Sequence, residues 1–270
     1  MIAFAGNSVL CRLALGSGAS DAASFTTIRL LSGAVVLAFI GRFPLRRKAV
    51  LLRGNWLSAG ALFCYAAAFS YAYLSLSTGT GALILFGAVQ LTMIIAALRS
   101  GERMTKAEIF GTLSAFAGLV YLVSPGVTAP SFSGALLMAG AGISWGIYSL
   151  RGRRSVNPLA ETAKNFLLTL PFVAGLSLIL LHSTHLNWKG ALLAVVSGGL
   201  ASGVGYAVWY AALMGLTATR ASIVQLTVPV LAAMGGVMFL GEEISLRLLL
   251  SATAVLGGVG LAVVARIPRR

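Results

Sequence analysis

Acidic side chains are scarce in this 270-residue chain: six Asp and Glu stand against 20 Lys and Arg, and charged residues make up only 10% of the total. A water-soluble domain carries about 25% charged residues, so that class is excluded. The six acids are Asp21, Glu102, Glu108, Glu161, Glu242 and Glu243, and all fall at the ends of apolar runs or between them. No carboxylate is therefore available within a run to relay protons. Cysteine is limited to Cys11 and Cys64, both inside apolar runs. They predict free, packed thiols and no disulfide framework. His182 and His185 form an H-x-x-H with no acidic or thiol company, which reads as a solvated loop before it reads as a metal site. Intramembrane hydrolases and transferases need a paired nucleophile and base or a metal cluster, and neither is present. No enzyme activity and no cofactor are expected.

What fills the chain instead is apolar: 58% of residues are hydrophobic and the mean hydropathy is +0.93. Spanning a bilayer as a helix takes about 20 such residues. The pattern predicts an all-α integral membrane protein with ten transmembrane helices, at 2–16, 23–41, 54–74, 79–98, 107–123, 133–150, 160–181, 190–212, 217–239 and 246–265. No basic leader precedes Ile2, so a cleavable signal peptide is not expected.

A net charge of +14 would ordinarily raise nucleic acid as a partner, but the placement of the charges argues against it. Fourteen of the basic residues fall on one side of the predicted spans: Arg42, Arg46, Arg47, Lys48, Arg53, Arg99, Arg103, Lys106, Arg151, Arg153, Arg154, Arg266, Arg269 and Arg270. Only Lys189 and Arg247 fall on the other. That asymmetry predicts cytoplasmic N- and C-termini and a lipid bilayer, not nucleic acid, as the partner.

The chain also repeats itself. "YAYLSLSTGTGALI" (71–84) agrees with "YAALMGLTATRASI" (210–223) at seven of fourteen positions. Gly101-Glu102 falls on Gly241-Glu242, Gly118 on Gly258 and Gly6 on Gly146, each 140 residues on. Five spans per half, 1–130 and 131–270, make the second half enter the bilayer from the opposite side, an inverted repeat of the kind that secondary transporters use.

Ten spans in two inverted halves, with "FAGNSVLCRLAL" (4–15), "FTTIRLLSGAVVL" (25–37), "YAYLSLSTGTGALI" and the "GE" that closes spans four and nine, resemble the EamA-like branch of the drug/metabolite transporter superfamily. Within that branch the chain is most similar to YddG-type bacterial exporters of aromatic and other amino acids. The resemblance implies a multi-pass carrier of the bacterial inner membrane that works by alternating access. One copy holds a whole pathway, so a monomer suffices. Multidrug or purine/metabolite export by the same fold is the alternative, and a channel a more distant one.

Candidate pathway residues follow from faces and depth. In span nine, Ala221, Gln225, Pro229, Ala232 and Gly236 share one face, which maps back onto Ala82, Phe86, Gln90, Met93 and Ala97 of span four. Pro229 removes the hydrogen bond to the Gln225 carbonyl and is the expected hinge. Phe86, Trp145, Tyr148 and Tyr206 lie deep enough to line an apolar cavity, and Asn7 and Ser8 add polar atoms beside it. Helix packing explains the same residues, and both readings stay open. Trp56, Trp188, Tyr71 and Tyr73 read as interfacial belt residues. The charged positions inside spans, Arg12, Arg29 and Arg220, are candidates for gating or for attracting a substrate carboxylate, with snorkelling as the other account of Arg220. Absence of buried acids predicts facilitated rather than proton-coupled transport.

Overall fold

A computed structural model describes residues 1–42, 55–101, 104–126, 129–152, 155, 157–213 and 224–265. The described secondary structure is helical, apart from a single antiparallel bridge between Ser20 and Leu186. The helices are α1 (Ile2–Gly16), α2 (Ala22–Arg42), α3 (Trp56–Ala72), α4 (Thr78–Arg99), α5 (Lys106–Val123), α6 (Phe132–Gly152), α7 (Pro158–Leu168), α8 (Leu170–Ile179), α9 (Trp188–Val195), α10 (Gly205–Leu213), α11 (Thr227–Leu240) and α12 (Leu246–Val264). A π-helical stretch, Val196–Val204, joins α9 to α10. Among the described residues six helical segments are long and apolar enough to cross a membrane by length and composition, and Ile2–Gly16, Trp56–Ala72 and Thr227–Leu240 are shorter apolar helices.

Local chemistry sets the helix starts. Asn55, Asn157, Asn187 and Ser245 each accept a bond from a first-turn N–H, at the heads of α3, α7, α9 and α12. Thr105 and Glu108 form a reciprocal capping box at α5. Polar atoms placed at the ends leave the middles apolar, as lipid requires.

Three expected spans are not regular α-helices throughout; the one predicted at 217–239, whose residues 217–223 lie outside the described residues, has a turn at Leu226. The run predicted at 160–181 breaks at Thr169, whose hydroxyl bonds the Phe166 carbonyl at 2.6 Å, and restarts with Pro171 in the first turn of α8. The run predicted at 190–212 widens into the π stretch, where Ser197, Gly198, Gly199, Ser202 and Gly203 are buried. A Cβ at Gly198 would overlap the Arg29 carbonyl oxygen, so the loosened backbone lets α2 come within backbone contact.

The helices pack as α5 on α12, α3 and α4 on α6, α2 on the π stretch and α7, and α1 on α11 and the π stretch. In the α5–α12 crossing a Cβ at Gly111 would meet the Gly258 carbonyl and one at Gly118 would meet the Ser251 carbonyl. Midway between these contacts the Ser114 hydroxyl faces the Ala254 carbonyl at 3.4 Å, 140 residues away in sequence. Large apolar side chains point outward, among them Phe110, Leu113, Phe116, Leu178, Met238 and Phe239, as on a surface that faces lipid.

The bundle has two ends. The Asp21 end carries the connections around 17–21, 73–77, 180–187 and 241–245; the Arg151 end carries the start of α3, which Arg151 reaches through a 3.0 Å bond from its Nε to Ser58. At the Asp21 end, residues 19–21 and 185–187 are laced together. Asp21 N–H donates to the His185 carbonyl at 2.7 Å, Asn187 N–H to the Ala19 carbonyl at 2.9 Å, and His185 N–H to the Asp21 carboxylate at 2.9 Å. Ser24 N–H adds a 2.8 Å bond to the same carboxylate.

Partial burial pushes the Asp21 carboxyl up, but the hydrogen bonds from Ser24, His185 and Ala23 outweigh it, and the group titrates below its ordinary value of 3.8. A depressed carboxyl contributes stability above its unfolded-state pKa and loses it as pH falls through the folded-state value. Asp21→Asn therefore lowers thermal stability at neutral pH by about 1 kcal/mol. Melting curves of the two proteins in detergent converge as pH falls below about 4.

Candidate functional site

A cavity lies inside the bundle, walled by Phe4 and Asn7 of α1, Tyr65 and Phe69 of α3, Leu85 and Phe86 of α4, Trp145 of α6, Tyr206 of α10, and Gln225. Its water-accessible space is about 20 Å³, room for water but not for an amino acid. Aromatic rings hold it shut. Trp145 lies 4.9 Å from Tyr65 and 5.3 Å from Tyr206, centroid to centroid, and Phe4 meets the edge of Tyr206 at 5.7 Å. Such contacts contribute roughly 0.5–1.5 kcal/mol each beyond their buried area.

Five of the eight expected binding residues therefore line the cavity: Asn7, Phe86, Trp145, Tyr206 and Gln225. Asn7 is fixed by the π stretch, accepting from Ser197 at 2.7 Å and donating to Ser202 at 3.3 Å. Gln225 lies immediately before the turn residue Leu226, at which the helix breaks before α11. Pro229 is buried in the first turn of α11, where its missing N–H costs little and its ring excludes a continuous helix through Gln225.

Ser8, Gln90 and Tyr148 do not line the cavity. Ser8 is buried beside the Tyr73 hydroxyl. Gln90 is buried one turn beyond Phe86, with its Nε2 unpartnered. Tyr148 stacks under Trp145 at 5.5 Å, one layer toward the Arg151 end. There its hydroxyl donates to Thr162 at 3.1 Å, and Thr162 donates to the Tyr210 hydroxyl at 3.3 Å. Three elements, α6, α7 and α10, are thereby tied beneath the cavity. Tyr65, Phe69, Phe4 and Leu85 are lining residues that the sequence reading passed over; tyrosine and phenylalanine in mid-span three were the available signal.

The other end closes differently. Tyr73, expected at the membrane interface, is completely buried; its ring meets the edge of Phe69 at 4.8 Å and its hydroxyl donates to the Thr78 carbonyl at 3.2 Å. The carboxylate of Glu242 sits on the first amide of α4, accepting from Thr78 N–H at 2.8 and 3.0 Å and from the Thr78 hydroxyl at 3.1 Å. Gly241 aims it there: a left-handed residue (φ +65°) ends α11 and folds Glu242 N–H back onto the Gly236 carbonyl at 3.1 Å. Arg12 approaches the same carboxylate at 3.5 Å and donates to the Tyr73 carbonyl at 2.9 Å. A negative charge at a helix start is also favoured by the helix dipole. The latch joins α1, α4 and the α11–α12 connection.

Arg29 stands behind the cavity wall, fully buried. Arg220 lies outside the described residues. Among the described residues no group of three His, Cys, Asp or Glu could hold a metal ion.

An apolar exterior and membrane-length helices define a multi-pass membrane protein. Residues 132–264 match the EamA-like transporter family. The chain is 52% identical over 269 residues to an uncharacterized protein of Pseudomonas aeruginosa, covering 100% of this chain and 93% of that one. It is 27% identical over 193 residues to an uncharacterized transporter of Archaeoglobus fulgidus, covering 70% of this chain and 68% of that one. The uncharacterized transporter YoaV of Bacillus subtilis is 21% identical over 249 residues, covering 87% of this chain and 85% of that one. A crystal structure at 22% identity superposes with a TM-score of 0.66, covering 98% of this chain and 97% of its own, which is a likeness of fold. The chain belongs to the EamA-like transporter family, whose members are transporters rather than enzymes.

Removing the Glu242 carboxylate strands the Thr78 hydroxyl, the first amide of α4 and the Arg12 charge together. Glu242→Ala should therefore destabilise the protein by about 2–3 kcal/mol, more than Arg12→Ala, and the double variant by less than the sum. Thermal unfolding of the four proteins checks this; additive losses would separate Arg12 from the latch.

Proposed function

We propose that this transporter exports amino acids, aromatic and other apolar ones favoured, from the bacterial cytoplasm by alternating access. The observation that carries the reading is the aromatic cavity, lined from both halves of the chain and flanked toward each end by a different set of polar contacts. Aromatic walls suit a flat or branched apolar side chain, and Asn7 and Gln225 offer polar atoms for a backbone. Opening the Glu242 latch alone, or the Tyr148–Thr162–Tyr210 layer alone, would expose the cavity to one side at a time.

Ten spans in two inverted five-helix repeats, 1–130 and 131–270, give that cavity its frame. The α5–α12 crossing supports the repeat, because its centre falls on Ser114 and Ala254, the same 140-residue offset as the sequence match. Gly101 and Gly241, also 140 apart, both adopt left-handed conformations. The Arg151 end faces the cytoplasm, since Arg99, Lys106 and Arg151 lie toward it and Lys189 and Arg247 toward the other. Both termini are then cytoplasmic, and one copy of the chain suffices.

The test is export from cells loaded with individual amino acids, followed by counterflow in proteoliposomes. Phenylalanine or tryptophan export with trans-stimulation by unlabelled substrate is expected; flux without trans-stimulation would indicate a channel, and export of drugs or purines alone would indicate the alternative cargo. Trp145→Ala should raise the half-saturating concentration about tenfold, the scale of one lost ring contact. Gln225→Ala should weaken export and Gln90→Ala should matter less, since only Gln225 lines the cavity. Transport should proceed without a pH gradient; flux that requires and dissipates one would overturn the facilitated mechanism.

A further inference from the structure

Arg29 of α2 is 2% exposed, among the largest fully buried side chains. Its Nη2 donates to the Tyr65 hydroxyl at 3.0 Å, and its guanidinium lies over two rings, 4.8 Å from Phe69 and 5.4 Å from Tyr65. Its Nη1 has no partner. Five of the six acidic residues are described, and none of them comes within ion-pair distance of Arg29; Glu242 pairs with Arg12 instead. A cation taken out of water without an anion is strongly disfavoured, and ring faces and one hydroxyl offset only part of that.

The position is built in, not a frayed accident. The Gly198 backbone presses on the Arg29 carbonyl and Ser32 donates to it at 3.2 Å, so the backbone beneath the side chain is fixed. Snorkelling would need a path to headgroups, and the buried Cys11 and the rings of α3 close off the surroundings. Both rings under the guanidinium, Tyr65 and Phe69, are walls of the cavity. The missing anion therefore has a place to come from.

Resting on the export reading above, we propose that Arg29 is the receptor for a carboxylate on the cargo, reached when Tyr65 swings aside. A guanidinium offers a carboxylate two parallel N–H donors, and here one of its nitrogens is already unpaired. Among the described residues no acidic side chain lines the cavity to meet an ammonium group. The carboxylate, not the amine, then defines the cargo: aromatic acids without an amino group bind, and aromatic amines without a carboxylate do not.

Binding of four probes to the purified protein in nanodiscs tests this: L-phenylalanine, 3-phenylpropionate, L-phenylalaninamide and 2-phenylethylamine. The two carboxylates should bind at least about 30-fold more tightly than the amide and the amine, the scale of an unpaired buried charge. In Arg29→Gln that preference should shrink to within about threefold, and Tyr65→Phe, which keeps the charge but frees its anchor, should retain it. Should Arg29→Gln fail to fold by size exclusion, Arg29→Lys takes its place, with a preference weakened by the loss of the two-pronged donor. Equal binding of all four probes by the wild type, or a full preference surviving in Arg29→Gln, overturns the carboxylate receptor and leaves the export reading standing. No binding of any probe overturns the amino-acid reading and this inference with it.

Discussion

A carboxylate lying on the first amide of α4 holds the Asp21 end together. Glu242 belongs to the connection that follows α11, while Thr78 begins a helix 164 residues earlier, so this contact joins distant parts of the chain. Arg12 adds a third element at 3.5 Å. In lipid the ends of helices are the places where unsatisfied N–H groups and charges can meet, because the middles hold their own hydrogen bonds. One side chain that caps a helix of another segment is thus both a structural tie and the obvious part to release in a conformational change.

Beneath that latch the interior is aromatic and tightly packed. Rings at 4.9–5.3 Å around Trp145 fill the space that cargo would need. Below them the Tyr148–Thr162–Tyr210 bonds provide a second closure made of neutral hydroxyls. The two ends therefore differ in kind: one is ionic and sits at a helix start, the other is a stack of rings with a short hydroxyl chain. Among the described residues, the breaks at Thr169 and Leu226 and the π stretch place irregular backbone in the second half of the chain. Irregular backbone is costly in lipid, and beside a cavity it is where movement is cheapest.

Much of this was legible in the sequence. Hydropathy located the apolar segments, since lipid imposes length and composition directly, and Pro229 falls in the first turn of α11, three residues after the turn at Leu226. The repeat led to Gly241-Glu242 as a pair without saying what it does. Its role depends on a left-handed glycine aiming a carboxylate at Thr78, a contact that no local pattern encodes. Tyr73 looked interfacial because it ends a span; the Phe69 ring and the Thr78 carbonyl bury it instead. Tyr148 and Gln90 were read as cavity residues; Tyr148 lies one layer away under Trp145 and Gln90 one turn beyond Phe86, a displacement along the helix that periodicity alone does not resolve. The π stretch was hidden because glycine and serine in a membrane helix read as packing residues first.

The central claim is that the cavity is reached from one end at a time. Spin-label distances test it most directly, with Cys11 and Cys64 replaced by alanine and one label pair at each end. Exposed Ser17 and Glu243 report on the Asp21 end, and exposed Leu57 and Ala212 on the Arg151 end. During substrate exchange in nanodiscs, the two distances should change reciprocally, one lengthening as the other shortens, and Glu242→Gln should favour the state open at the Asp21 end. Distances that stay fixed, or that lengthen together, would contradict alternating access.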